Sequence, residues 1–245
     1  MPQLSNDSVF RQMQADPYYR QFSLELTDLL KRDPGYSPKR QAKILESCAR
    51  GERIVQFDGS YIVNSSVPAV PSRAFMTFIQ GGRNENRLLT DLAYARRSAP
   101  LSTHLCITTR CNDGCKHGNA PIPDRQADLT RGQWLQIIGD LQDAGVAYIA
   151  FSGGEPLLRP DMEDIVAAVD DRSTTLLFTD GRGLSRRRAE ALKRAGLFSL
   201  AVSIDSSDDE EDNRLRHNPC AIDDALRAID CASEAGLYTM ASAVV

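Results

Sequence analysis

Thr103-His104-Leu105-Cys106-Ile107-Thr108-Thr109-Arg110-Cys111-Asn112-Asp113-Gly114-Cys115-Lys116-His117-Gly118 runs a β-prone segment straight into a cysteine loop. The segment 103–109 is a short β-rich run and predicts a strand, so Cys111 and Cys115 fall in the loop just after it. Of the six cysteines, Cys106, Cys111 and Cys115 fall within ten positions, a crowding that favours metal or redox chemistry over packing. The spacing supplies two thirds of a three-thiolate iron–sulfur loop, with Gly118 where the third thiolate would stand. A four-iron cluster on three cysteines keeps one iron open to a cofactor, whereas two cysteines leave it under-ligated.

Outward from this loop, the chain from residue 101 onward repeats one rhythm. β-prone runs at 103–109, 147–152, 174–179, 199–204 and 239–244 alternate with amphipathic helical patterns. The helical faces carry Trp134, Ile137, Ile138 and Leu141, then Ile165, Val166 and Val169, then Ala189, Leu192 and Ala195, and last Ile222, Ala225, Leu226 and Ile229. Five strand-then-helix units predict parallel strands joined by right-handed crossovers, in an open sheet or a barrel. Such folds gather their chemistry at the C-terminal ends of the strands. The run at 239–244 lies at the end of the sequence with no helix after it, an open edge that leads us to expect a truncated product or a fragment.

The first hundred residues follow no such rhythm. Helical periodicity over 8–32 (Phe22, Leu26, Leu29, Leu30) ends at Asp33-Pro34-Gly35, and a second helix is expected between Pro38 and Gly51. Ile54–Phe57 and Tyr61–Val63 flank Asp58-Gly59, a hairpin signal, because that pair accepts the positive φ angles of a tight turn. Pro68 and Pro71 break regular structure, and a further helix is expected over 85–97. The expected organisation is an N-terminal α/β appendage over 1–100 and a partial (β/α) barrel of about five strands over 101–245.

Composition narrows the class. The 245 residues are 42% hydrophobic and 25% charged, ordinary for a soluble globular protein. Twenty-nine basic against 33 acidic residues give a net charge of -4, which argues against nucleic acid and anionic membranes as partners. The sequence shows no apolar stretch near the roughly 20 residues that span a bilayer, and no signal-peptide pattern, so cytoplasm is the expected location, where thiols stay reduced.

The polar motifs fall where strand ends are expected: Cys111 and Cys115, then Ser152-Gly153-Gly154-Glu155-Pro156, then Thr179-Asp180-Gly181, then Ser203-Ile204-Asp205. Each alone reads as a turn or a helix cap; four on one rim point to a shared site. Cys220 and Cys231 are read as inert packing thiols, Trp134 as helix core, and Arg186-Arg187-Arg188 as a solvated face with the acidic run at 208–212 as a candidate partner. His104 and His217 have no evident role.

Together, Thr108 through Gly118 and Phe151-Ser152-Gly153-Gly154-Glu155-Pro156-Leu157-Leu158 resemble the radical S-adenosylmethionine (SAM) superfamily, whose signature is C-x-x-x-C-x-x-C after the first strand. The likeness spans roughly residues 101–245. Ser203-Ile204-Asp205 through Arg216 resembles the subgroup that modifies peptides or matures peptide-derived cofactors. The resemblance implies a 4Fe-4S cluster on Cys111 and Cys115, and SAM held by Ser152, Gly153, Gly154 and Glu155, the carboxylate receiving its amino group. It further implies ribose or carboxylate contacts from Ser203, Asp205 and Arg216. In the family the open iron chelates SAM, donates an electron and releases a 5′-deoxyadenosyl radical that abstracts hydrogen from substrate. The implied partners are a peptide or small cofactor-precursor substrate, with an electron donor or an intact homologue.

The departures from the pattern leave alternatives open. Gly118 cannot ligate iron, and His117 or Cys106 are the nearest substitutes, although Cys106 on the strand reads as a small buried side chain. Zinc on Cys106, Cys111, Cys115 and His117 is chemically reasonable but lacks paired spacing. Asp180 stands where relatives often carry asparagine. Two readings therefore remain as expectations: a radical SAM enzyme impaired by Gly118 and truncation, or a non-catalytic descendant that keeps a SAM-like or peptide-binding surface.

Overall fold

The computed structural model describes residues 6–31, 54–80, 99–111, 128–206 and 208–243, which fall into two compact units. The first comprises Met1–Leu101 with Leu141–Tyr148 and Asp171–Thr174. It opens with α1 (Asn6–Ala15) and α2 (Pro17–Leu30), where the periodicity alone had predicted one helix. The break follows from Pro17, which has no N–H to donate, and from Asp16, whose Oδ1 accepts from the Tyr18 and Tyr19 amides at 2.8 and 3.4 Å as a cap on α2.

The expected hairpin forms: β1 (Val55–Phe57) pairs antiparallel with β2 (Ser60–Ile62). Its turn residues Asp58 and Gly59 both have positive φ, 48° and 75°. Pro68 and Pro71 lie in the irregular stretch between β2 and α3 (Arg73–Gln80), which starts behind Ser72, whose hydroxyl accepts from the Phe75 amide. Phe22, Leu26, Val70, Phe75 and Ile79 form the core of this unit, with Tyr19 bridging to Met13, Ile54 and Tyr61. The helices expected over 38–51 and 85–97 lie outside the described residues.

The second unit comprises Ser102–Asp140, Ile149–Asp170 and Thr175–Val245. Its sheet contains β3 (Ser102–Cys106), β4 (Tyr148–Ser152), β5 (Thr174–Thr179), β6 (Ser199–Ser203) and β7 (Tyr238–Ser242), in chain order. Pairing is parallel, with Leu176 opposite Ser199 and Ser199 opposite Tyr238 setting the registers. Between the strands run α4 (Arg131–Ala144), α5 (Met162–Ala167), α6 (Arg186–Arg194), α7 (Asp209–Arg216) and α8 (Ala221–Glu234). Strand order equal to chain order means each crossover steps the same way. With crossovers of one hand, the helices collect on one face and the other face becomes a barrel interior. The expected partial (β/α) barrel of the α/β class is therefore present.

Local chemistry places the helix starts. Thr130 and Gln133 form a reciprocal box at α4, the Thr130 amide and hydroxyl both reaching Gln133 Oε1 at 2.9 Å. Ser185 caps α6 and Asp208 caps α7 through the Arg188 and Glu211 amides. The apolar faces pack Trp134 and Ile138, then Met162, Ile165 and Val166, then Ala189 and Leu192. In α8 the buried stripe is Ala221, Ala225, Ala228 and Ala232, while Leu226 is 52% exposed. Small residues win that face because Ala228 abuts Gly181: a Cβ on Gly181 would meet Ala228 Cβ at 2.7 Å.

Candidate functional site

At the C-terminal ends of the strands, a cavity of about 370 Å³ is walled by Cys111, Ser152, Gly153, Gly154, Thr179, Asp180, Ser203 and Arg216, with His104 and Phe178 on the strands themselves. Four separate strand ends of the sequence thus share one space. Two expected residues do not face it: Glu155 and Asp205 stand behind the wall, each engaged by neighbours. Cys115, Gly118 and His117 lie outside the described residues.

The glycines shape the wall by letting two backbones meet. Gly153 has φ 140°, and a Cβ there would stand 2.3 Å from Thr108 O; a Cβ on Gly154 would fall 2.1 Å from Arg110 O and 3.1 Å from Cys111 Cβ. Into that clearance the Gly154 amide donates to Thr108 O at 2.9 Å and the Glu155 amide to Arg110 O at 2.7 Å. The segment leading to Cys111 is thereby laid against the turn after β4, with the exposed Cys111 thiol on the cavity side.

Glu155 is buried, 1% exposed. Its Oε1 accepts from the Leu157 amide at 2.7 Å and the Thr179 hydroxyl at 2.9 Å, and Oε2 accepts from the Asp180 amide at 2.8 Å. Burial and the neighbouring Asp180 charge push its carboxyl up to about 8, against the pull of those three donors. The group ties the turn after β4 to the end of β5. Asp180 itself accepts from the Arg182 amide through Oδ1, while its Oδ2 is buried without a hydrogen bond. A buried carboxylate oxygen with no donor is a vacancy for a cation or N–H beside the cavity.

Across the cavity, Arg216 pairs with Asp205 and approaches Asp212 at 3.6 Å; all three are almost fully enclosed. Asp212 Oδ1 also accepts from the Asp205 and Ser206 amides, so the loop after β6 is locked onto α7. Two buried carboxylates thus surround the one guanidinium that reaches the cavity wall and hold it in place.

Sequence reasoning missed several residues. His104 lies on the barrel interior, stacked on Phe178 with centroids 5.6 Å apart and planes at 27°. Nothing in the residues around it marked it. Cys106 is exposed on the same strand rather than buried, its thiol 3.7 Å from Thr108 O, because alternate positions of β3 face the open interior. Cys220 is likewise exposed where α8 begins, not packed; Cys231 is half-buried. Arg188 is no solvated arginine: its Nη2 donates to Arg159 O at 2.9 Å, its Nη1 to Leu157 O, and its Nε to Glu163, so it pins the 3-10 turn Pro156–Leu158. Arg186 pairs with Glu190 and Glu234, and the acidic run at 208–212 serves its own helix through Arg214 and Arg216.

Comparison with known proteins settles the lineage. The Radical SAM superfamily model matches residues 105–245. The chain belongs to the radical SAM superfamily. A probable GTP 3′,8-cyclase of Methanosarcina mazei is 34% identical over 164 residues, 63% of this chain and 47% of that protein. A PqqA peptide cyclase of Streptomyces rochei is 35% identical over 113 residues, 45% and 31% of the two. The chain spans about half or less of the length of these curated relatives. Streptococcus suis SuiB, solved with its precursor peptide SuiA and with S-adenosylmethionine, shares the fold at TM-score 0.53 in each case, with 18% and 19% identity. Each match covers 60% of this chain and a third of SuiB.

Radical SAM proteins bind a 4Fe-4S cluster and SAM. The residues on the cavity fit SAM: the donorless Asp180 oxygen for its ammonium, the Arg216 guanidinium for its carboxylate, and hydroxyls at Ser152 and Ser203. For the cluster, the described residues contribute one thiol, Cys111, and no group of three metal-ligating side chains stands among them. The second thiol of the motif is Cys115, and Gly118 has no donor atom. No helix among the described residues is long and apolar enough to cross a membrane.

Proposed function

We propose that this protein binds SAM in the strand-end cavity and performs radical chemistry on a peptide or a peptide-derived cofactor precursor, in the reducing cytoplasm. The observation that carries the reading is the convergence of Cys111, the Gly153-Gly154 turn, Asp180, Ser203 and Arg216 on one cavity. The relatives named for a peptide cyclase and crystallised with a precursor peptide support the substrate class. Cys111 and Cys115 would hold the cluster, which with SAM supplies one-electron activation of an unreactive C–H bond. Asp180 would meet the ammonium of the methionine moiety, with Glu155 behind it fixing the strand-end amide. Ser203 and Arg216 would orient the ribose and carboxylate ends, and Asp205 would hold Arg216 for that task.

Gly118 favours a second reading, in which the surface still recognises SAM or a peptide without turnover, as a partner of an intact homologue or electron donor. Calorimetry of SAM with the iron-free chain tests the pocket itself: binding shows that the protein residues recognise SAM, and absence of binding leaves only SAM held through the cluster or a peptide-binding surface. Anaerobic reconstitution with iron and sulfide, followed by measurement of 5′-deoxyadenosine release, separates the two readings: release by the natural chain supports the enzyme, while binding without release supports the second reading.

A further inference from the structure

We infer that Asp128 is the positioning residue for Cys111, closing a clamp with Arg159 that presents the thiol to the cavity; the thiol's role as a ligand rests on the function proposed above. The Asp128 carboxylate gathers the strand end from several directions. Its Oδ2 accepts from the Thr108 hydroxyl at 2.7 Å and its Oδ1 from the Thr109 amide at 3.1 Å. Arg110 Nε stands 3.4 Å from it and Arg159 Nη1 3.9 Å.

Arg159, 5% exposed, completes the ring: Nη1 donates to Ile107 O at 3.0 Å and Leu129 O at 3.1 Å, while Nε and Nη2 grip Asp161 at 2.9 and 2.8 Å. Thus Ile107, Thr108, Thr109 and Arg110 are held on one side by Asp128 and Arg159. On the other side they are held by the Gly154 and Glu155 amides. Every residue from the end of β3 to the one before Cys111 is fixed by a side chain or amide from elsewhere in the fold. Backbone held on two sides before any ligand arrives is how a site avoids ordering its own ligand on binding. Asp128 carries no pattern in the sequence, and no motif predicts it.

The test uses the full chain and reads two things. Hydrogen exchange of the 107–111 segment, without cofactors, should quicken at least about tenfold in Asp128→Ala, the scale of one lost charge-assisted hydrogen bond. Thr108→Val should do the same. The double variant should exceed the natural chain's rate by less than the product of the two single effects, since the two residues share the Thr108–Asp128 linkage while each also holds a contact of its own. Asp128→Asn keeps one acceptor, enough for the Thr109 amide or the Thr108 hydroxyl but not both, and should restore protection only in part. The second reading is iron per chain and the paramagnetic signal of the reduced cluster after reconstitution, in the natural chain and with Gly118→Cys added. Asp128→Ala should lose several-fold in both quantities relative to its parent, and Asp128→Asn should fall between the two.

Unchanged exchange in Asp128→Ala overturns the proposal, as does faster exchange with iron binding fully retained. Should neither parent bind iron, the proposed function fails by itself, and the exchange of the single and double variants decides whether Asp128 holds the segment.

Discussion

Glu155 shows how a motif residue can be legible by type and misjudged by orientation. The sequence marks a carboxylate after two glycines as a ligand for an ammonium, yet the fold turns that carboxylate onto three donors behind the wall and leaves Asp180 at the cavity. Its raised pKa makes the protonated form native. In the unfolded chain the group releases its proton near 4.5, and in the folded one near 8. The folded state therefore binds the extra proton between those values, and stability falls as pH rises across that window, with a slope of up to about 1.4 kcal/mol per pH unit from this group. Above about 8 its contribution is gone and the curve levels. Urea midpoints measured from pH 4 to 9 should show that decline in the natural chain and a flatter profile in Glu155→Gln. Asp128 behaves oppositely. Burial raises its pKa, but the Thr108 hydroxyl, the Thr109 amide and the two arginines outweigh that and lower it, so its contribution is complete above the ordinary carboxylate pKa and fades only in acid.

At the scale of elements, the turn after β4 does the most work per residue. Ser152 through Leu158 carries the close backbone approach to Thr108 and Arg110, the buried Glu155, and a 3-10 turn held by Arg188. Gly154→Ala would place a methyl group against the Arg110 carbonyl, and backbone rather than a side chain must yield. We expect a loss of about 1–3 kcal/mol in urea unfolding together with weaker SAM binding by calorimetry, because the displaced segment carries Cys111. Arg188→Ala strips two carbonyls of the turn of their donor and should cost about 1–3 kcal/mol, again read by urea unfolding. While α7 (Asp209–Arg216) read only as an acidic run, the strands of the barrel and four of its five helices were legible in the sequence, with 174–179 matching β5 residue for residue. The α8 face was not, since Ala221, Ala225, Ala228 and Ala232 carry little hydrophobic signal beside Leu226, and only the proximity of Gly181 favours small side chains there. Nor was the break between α1 and α2, where local capping by Asp16 overrides a continuous apolar stripe.

For the whole molecule, the decisive experiment concerns the one ligand position that the motif leaves without a donor. Gly118→Cys should raise iron bound per chain after anaerobic reconstitution severalfold over the natural chain; equal iron in the two would show that this loop does not follow the family's ligand spacing. The sequence by itself determined the lineage, the strand-then-helix order, and which residue types gather at the strand ends, because periodicity and short motifs are local properties that survive without coordinates. Only the tertiary structure decided which of those side chains face the cavity and which brace it. That choice turned Glu155 and Asp205 inward onto partners, opened His104 and Cys106 to the barrel interior, and drew Asp128 and Arg159 to the backbone before Cys111. Orientation depends on donors and carbonyls contributed by distant segments, and those pairings exist only once the strands have been brought side by side.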